Sequence, residues 1–105
     1  MTKDYPVIYS AAAKDDLRSI YRYIAYELAE PGIAKKQVDR IRNKIRKLGS
    51  FPAKHPSVDW EPWLSMGMHR VPVDNYLIFY LVNEELQQVI VTRIFYGGRD
   101  IEKEL

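Results

Sequence analysis

Apolar residues at Ala13, Leu17, Ile20, Tyr21, Ile24 and Leu28 recur three and four apart, which lines one face of an α-helix. Ser10 precedes them as an N-cap, because its hydroxyl can accept from a free amide of the first turn. Pro31-Gly32 is expected to end this helix, since proline cannot donate to the ladder and glycine accepts the left-handed closing geometry. A second stripe, Ala34, Val38, Ile41, Ile45 and Leu48, predicts a second helix with Gly49 as its cap. Lys35, Lys36, Arg40, Arg42, Lys44, Arg46 and Lys47 fall on two flanks of that stripe, as in a helix half buried against a sheet. With so short a turn between them, the helices should pack antiparallel, their apolar faces toward each other and toward a sheet.

The strands read differently. Pro6 to Tyr9 is a short β-branched and aromatic run and predicts a first strand. From Ser50 to Trp63, prolines and serines break any period, which predicts an irregular connection across the surface. Met66 to Val73 alternates loosely, Tyr76 to Val82 is apolar throughout, and Val89 to Tyr96 is rich in β-branched and aromatic residues. The continuous run belongs in the middle of a sheet. Asp74-Asn75 and Asn83-Glu84-Glu85 are turn sequences, so the three strands should form an antiparallel meander. Gly97-Gly98 ends the last strand, and Asp100 to Leu105 is expected to add a short helical tail or to fray. The predicted fold is α+β, with order β-α-α-β-β-β: an antiparallel sheet packed on an N-terminal helical hairpin.

The chain of 105 residues suits one domain, spanning 1–105, with a core able to form without staples. It has no cysteine, and its two histidines, His55 and His69, give little support to a zinc site, so neither metal nor other cofactor is expected. No signal peptide is visible at the N-terminus, and the longest apolar run is far below the roughly twenty residues of a membrane span. A soluble, cytoplasmic protein without a membrane partner or small-molecule ligand is the expectation. The formal net charge of +2 conceals an asymmetry: residues 35–54 hold eight basic groups and one acidic group, whereas residues 55–105 hold four and eight. So concentrated a charge suits an acidic partner or a phosphate backbone, or simply the solvated side of a helix.

Two stretches carry a resemblance. Asp15-Asp16-Leu17-Arg18-Ser19-Ile20-Tyr21-Arg22-Tyr23-Ile24 resembles the first helix of ParE-type toxins. Tyr76-Leu77-Ile78-Phe79-Tyr80, with Arg93-Ile94-Phe95-Tyr96-Gly97-Gly98-Arg99-Asp100-Ile101, resembles their C-terminal strands. The chain is thus similar to the RelE/ParE superfamily, and closer to its ParE-like members. The resemblance implies a growth-arresting toxin of a type II toxin–antitoxin pair, neutralised by a cognate antitoxin that wraps it. ParE-like members inhibit DNA gyrase by binding. RelE-like members cut messenger RNA on the ribosome without a metal, using cations at the scissile phosphate and groups that move protons. Arg99 matches an arginine of the RelE pattern. Leu77 stands where those members carry another arginine, and Leu105 falls where their terminal tyrosine would be.

These departures favour gyrase as the target, with the ribosome and mRNA as the alternative. Under the nuclease reading the catalytic candidates are Arg99, Arg70 and Tyr96. Under either, Arg93, Arg99, Lys36, Arg40, Lys47 and Trp63 are candidates for contact with target or antitoxin. Each has a plainer reading. Arg99 suits either an outward phosphate contact or a salt bridge, and Arg93, inside an apolar strand, calls for a carboxylate partner. Tyr96 is expected in the core among eight tyrosines, and His69 and Arg70 near the surface. Trp60 and Trp63 either cover the helix ends or belong to a partner surface.

Overall fold

The computed structural model describes residues 4–50 and 52–97. Strand β1 (Val7–Tyr9) leads into helix α1 (Ala11–Arg22), and α2 (Pro31–Arg46) follows. A single helical turn, α3 (Trp63–Met66), precedes strands β2 (Met68–Val73), β3 (Tyr76–Asn83) and β4 (Gln88–Tyr96). The sheet order is β1-β4-β3-β2. The three C-terminal strands form the expected antiparallel meander, while β1 lies parallel beside β4, so one edge of the sheet is parallel. Gly98, Arg99 and the tail 100–105 lie outside the described residues.

Several boundaries moved for identifiable reasons. The Ser10 hydroxyl accepts from Ala13 N at 3.0 Å, as its capping role requires, and donates to the Thr92 carbonyl at 2.9 Å. The first helix does not run to Pro31. It widens into a π-turn over Tyr23–Glu27, and Ala29, at φ 54°, makes the left-handed reversal. Pro31 instead opens α2, where a missing N–H costs nothing. Gly49 does not close α2 with a left-handed turn: it ends a 3-10 turn over Lys47–Gly49, and its carbonyl accepts from the Tyr5 amide just ahead of β1. The segment 50–63, expected as an irregular surface connection, is partly built into the fold. Ser57 bridges to His69, and Val58 is fully buried, its N–H donating to the Met68 carbonyl at 2.7 Å.

The sheet therefore carries apolar packing on both faces. On the helix side Leu17, Ile41, Ile45 and Leu48 meet Val71, Ile78, Tyr80, Val89, Val91 and Ile94. On the other side Val58, Met68, Phe79 and Phe95 are covered by Trp60 and Trp63. That burial explains why β3 is apolar at nearly every position. Val91 and Ile94 are three apart yet share the helix side. The pairing slips between Phe79↔Arg93 and Tyr80↔Val91, so Thr92 is an extra residue that resets the alternation.

Tyr80 is the largest fully buried side chain, and its hydroxyl donates to the Pro52 carbonyl at 2.7 Å. Burial pushes its phenol up to about 12. A phenol whose folded value lies above its ordinary value of about 10 stabilises the fold fully below that pH and loses the contribution as the pH rises toward the folded value. Tyr80→Phe is accordingly expected to flatten the loss of stability in alkaline urea titrations across that window. An unchanged alkaline slope would show that this phenol does not govern it.

Candidate functional site

Asp16 sits on α1 one residue before the core-facing Leu17, which aims its carboxylate at the edge of β4 beyond the end of β1. There it accepts from Arg93 Nε at 2.7 Å, Arg93 Nη2 at 3.0 Å and the Ile94 amide at 2.9 Å. The carboxylate satisfies a backbone donor that β1 is too short to reach and supplies the counter-charge Arg93 needs. The Arg93 guanidinium also lies 4.4 Å from the Phe95 ring centroid. The expected carboxylate partner of Arg93 thus exists, and it comes from a helix. Asp16 was not singled out from sequence. The usable signal was an arginine within an apolar strand together with an acidic pair on the facing helix.

The remaining candidates do not gather at one point. Arg70 shares a cross-strand row with Phe79, on the sheet face away from the helices, and Arg93 continues that row on β4. Tyr96 pairs with Tyr76, which packs on the helix side, so Arg70 and Tyr96 belong to opposite faces. Tyr96 does not fill the core as expected: it is 52% exposed, edge-on to Tyr76 at 5.8 Å between centroids. The reason is position, since the last residue of a strand has no further layer above it. His69 faces the helix side, stacked on Tyr80 at 5.3 Å, and so turns away from Arg70. Trp63 is half-buried against the outer cluster.

The two flanks of α2 have separate surroundings. Arg40 donates to Asp74 Oδ2 at 2.7 Å, and Gln37 donates to the same oxygen at 2.9 Å. These contacts, Arg40 first, hold the Asp74 carboxyl below its usual range and tie α2 to the left-handed β2–β3 turn. Lys36 and Lys47 are exposed on this flank. The other flank, with Lys35, Arg42 and Arg46, faces α1 across a cleft of about 1120 Å3 floored by β1. Tyr9, Leu17, Val38 and Ile45 supply apolar lining, and Lys14, Arg18 and Arg22 complete a rim of six cations against one lining acid, Asp39. Burial raises the Tyr9 phenol, while Arg42 and Arg46 beside it pull it down. An apolar trough with a cationic rim suits a peptide segment that carries apolar anchors between carboxylates.

Among the described residues no group of three or more histidines, cysteines or carboxylates could hold a metal ion, and no helix is long and apolar enough to cross a membrane.

Comparison with known proteins places this geometry. The toxin–antitoxin system ParDE from the P. aeruginosa chromosome is similar in structure, with a TM-score of 0.72, 19% identity, and coverage of 88% of this chain and 95% of that one. The toxin–antitoxin complex RelBE2 from Mycobacterium tuberculosis gives a TM-score of 0.65 at 16% identity, covering 94% and 98% of the two chains. The archaeal RelE–RelB complex from Pyrococcus horikoshii gives 0.65 at 15% identity, covering 92% and 99%. At such identities these likenesses establish the fold. No curated protein matches the chain by sequence. The family model described as ParE toxin of type II toxin-antitoxin system, parDE, matches residues 7–101, nearly the whole sequence, and the chain therefore belongs to the ParE toxin family.

Proposed function

We propose that this toxin is a single cytoplasmic domain that arrests bacterial growth by binding DNA gyrase, and that a cognate antitoxin silences it by laying an apolar-anchored acidic segment in the α1–α2 cleft. The observation that carries the reading is the separation of Arg70 and Tyr96 onto opposite faces of the sheet. General acid–base cleavage of a phosphodiester needs a proton acceptor, a donor and charge stabilisation around one phosphorus atom. Arg70 and Tyr96 do not form such a group, and Leu77 adds neither charge nor a titrating proton. Membership of the ParE family and the toxin–antitoxin character of the similar structures support the same reading.

Expression without an antitoxin tests it. Growth arrest with a DNA-damage response, and loss of gyrase supercoiling when purified toxin is added, are the expected results. New cuts within translated messages, abolished by Arg70→Ala or Tyr96→Ala while gyrase stays active, would establish the nuclease instead. Undisturbed growth would mark a member that has lost its toxicity.

A further inference from the structure

The flank of α2 that turns away from the cleft makes a second surface of different chemistry. Lys36, Arg40, Asn43, Lys44 and Lys47 follow the helical repeat along one line, and the last four line a shallow groove of about 330 Å3 against Pro72 and Val73 of β2. At 1.5 Å per residue the line from Arg40 to Lys47 is about 10 Å long. Among the described residues the one ion pair along this line is Arg40–Asp74. The cleft on the other flank offers tyrosine, leucine and isoleucine to a peptide, whereas this groove offers only cations, an amide and the edges of Pro72 and Val73. A ligand held by apolar anchors finds no seat here. A regularly charged backbone does.

We propose that the Lys36–Lys47 line of α2, with the groove it forms against Pro72 and Val73, is a binding strip for the phosphodiester backbone of a nucleic acid. It lies on the flank of α2 opposite the cleft assigned to the antitoxin.

His55, after α2 in the chain, is held against the sheet. Its ring lies edge-on to Tyr80 at 6.3 Å, and its carbonyl accepts from His69 Nδ1 at 2.9 Å, which fixes the segment against β2 and β3. The groups facing it are Lys44 from α2, Lys54 from its own turn, His69 from β2 and the Tyr80 ring from β3. Burial, then Lys44, Lys54 and His69, lower its pKa.

The test is titration of the full-length chain, by fluorescence anisotropy, with a short labelled DNA duplex, an RNA strand of the same sequence and a polyglutamate peptide. Binding to the nucleic acids should weaken steeply between about 50 and 200 mM salt. Lys44→Ala with Lys47→Ala should lower the slope of log affinity against log salt by about 1.4 to 1.8 and reduce affinity about tenfold or more, while Arg42→Ala with Arg46→Ala on the opposite flank should change it little. Tighter binding of duplex or of RNA identifies which nucleic acid the strip takes, and either supports the proposal. Three outcomes overturn it: no nucleic-acid binding at the lower salt, binding lost through Arg42 and Arg46 instead, or equal affinity and slope for polyglutamate. Matching circular dichroism and melting of each variant confirm that these substitutions leave the fold intact.

Discussion

Asp16→Asn is expected to lower the unfolding free energy by about 3 kcal/mol, equivalent to a fall in Tm of roughly 10–20 °C for a domain of this size. The side chain of Asp16 is only 13% exposed and that of Arg93 30%, so the substitution takes the Asp16 charge away from a poorly solvated guanidinium. Asparagine keeps one acceptor, yet its amide nitrogen must then face either an arginine N–H or the Ile94 amide. The internal contrast is Asp15, whose pair with Arg18 is 66–73% exposed and whose replacement by asparagine should cost no more than about 0.5 kcal/mol. Replacing Asp16 and Arg93 together with leucine should recover part of the loss, because the poorly solvated guanidinium is removed along with the carboxylate. Urea unfolding of the four proteins decides the matter. If the Asp16 and Asp15 variants melt together, the carboxylate is not the latch between α1 and β4.

The second large effect is expected at Gly49. A Cβ there would collide with the carbonyl oxygen of Tyr5, and the Tyr5 amide donates back to the Gly49 carbonyl at 3.0 Å. The chain entering β1 is thus pressed directly on the turn after α2. Gly49→Ala should destabilise by about 2–3 kcal/mol, since backbone on both sides has nowhere to move without displacing β1. Displacement of β1 would also uncover the edge of β4 and the floor of the cleft. Hydrogen exchange should therefore accelerate at Val89, which donates to the Pro6 carbonyl at 2.9 Å. Gly32 is the control. A Cβ there meets nothing within 4 Å, and alanine in the first turn of α2 should be neutral or stabilising by up to about 1 kcal/mol. Equal stability of Gly49→Ala and the parent protein would refute the close approach.

Much of this architecture was legible along the chain because the relevant periods are local. Ser10 caps α1, the stripes of α1 and α2 face the sheet, and the apolar run of β3 lies inside it, each read from residues within a few turns or one strand. The punctuation was less secure. Pro31-Gly32 lies at a helix boundary, but a proline that cannot continue one helix can begin the next, and the residues alone did not say which. Arg93 announced a need for a carboxylate without naming Asp16, 77 positions earlier.

What the sequence by itself determined is the two long helices and the four strands, their amphipathic faces and the concentration of positive charge between residues 35 and 54. The tertiary structure decided how these are used: β1 beside β4, the extra residue at Thr92, opposite faces for Arg70 and Tyr96, and two differently charged grooves along one helix. The physical reason is range. Helical and strand periodicity arise from neighbouring backbone geometry, whereas pairing partners and groove walls arise only when loop closure brings distant segments together and buried groups must find their complements.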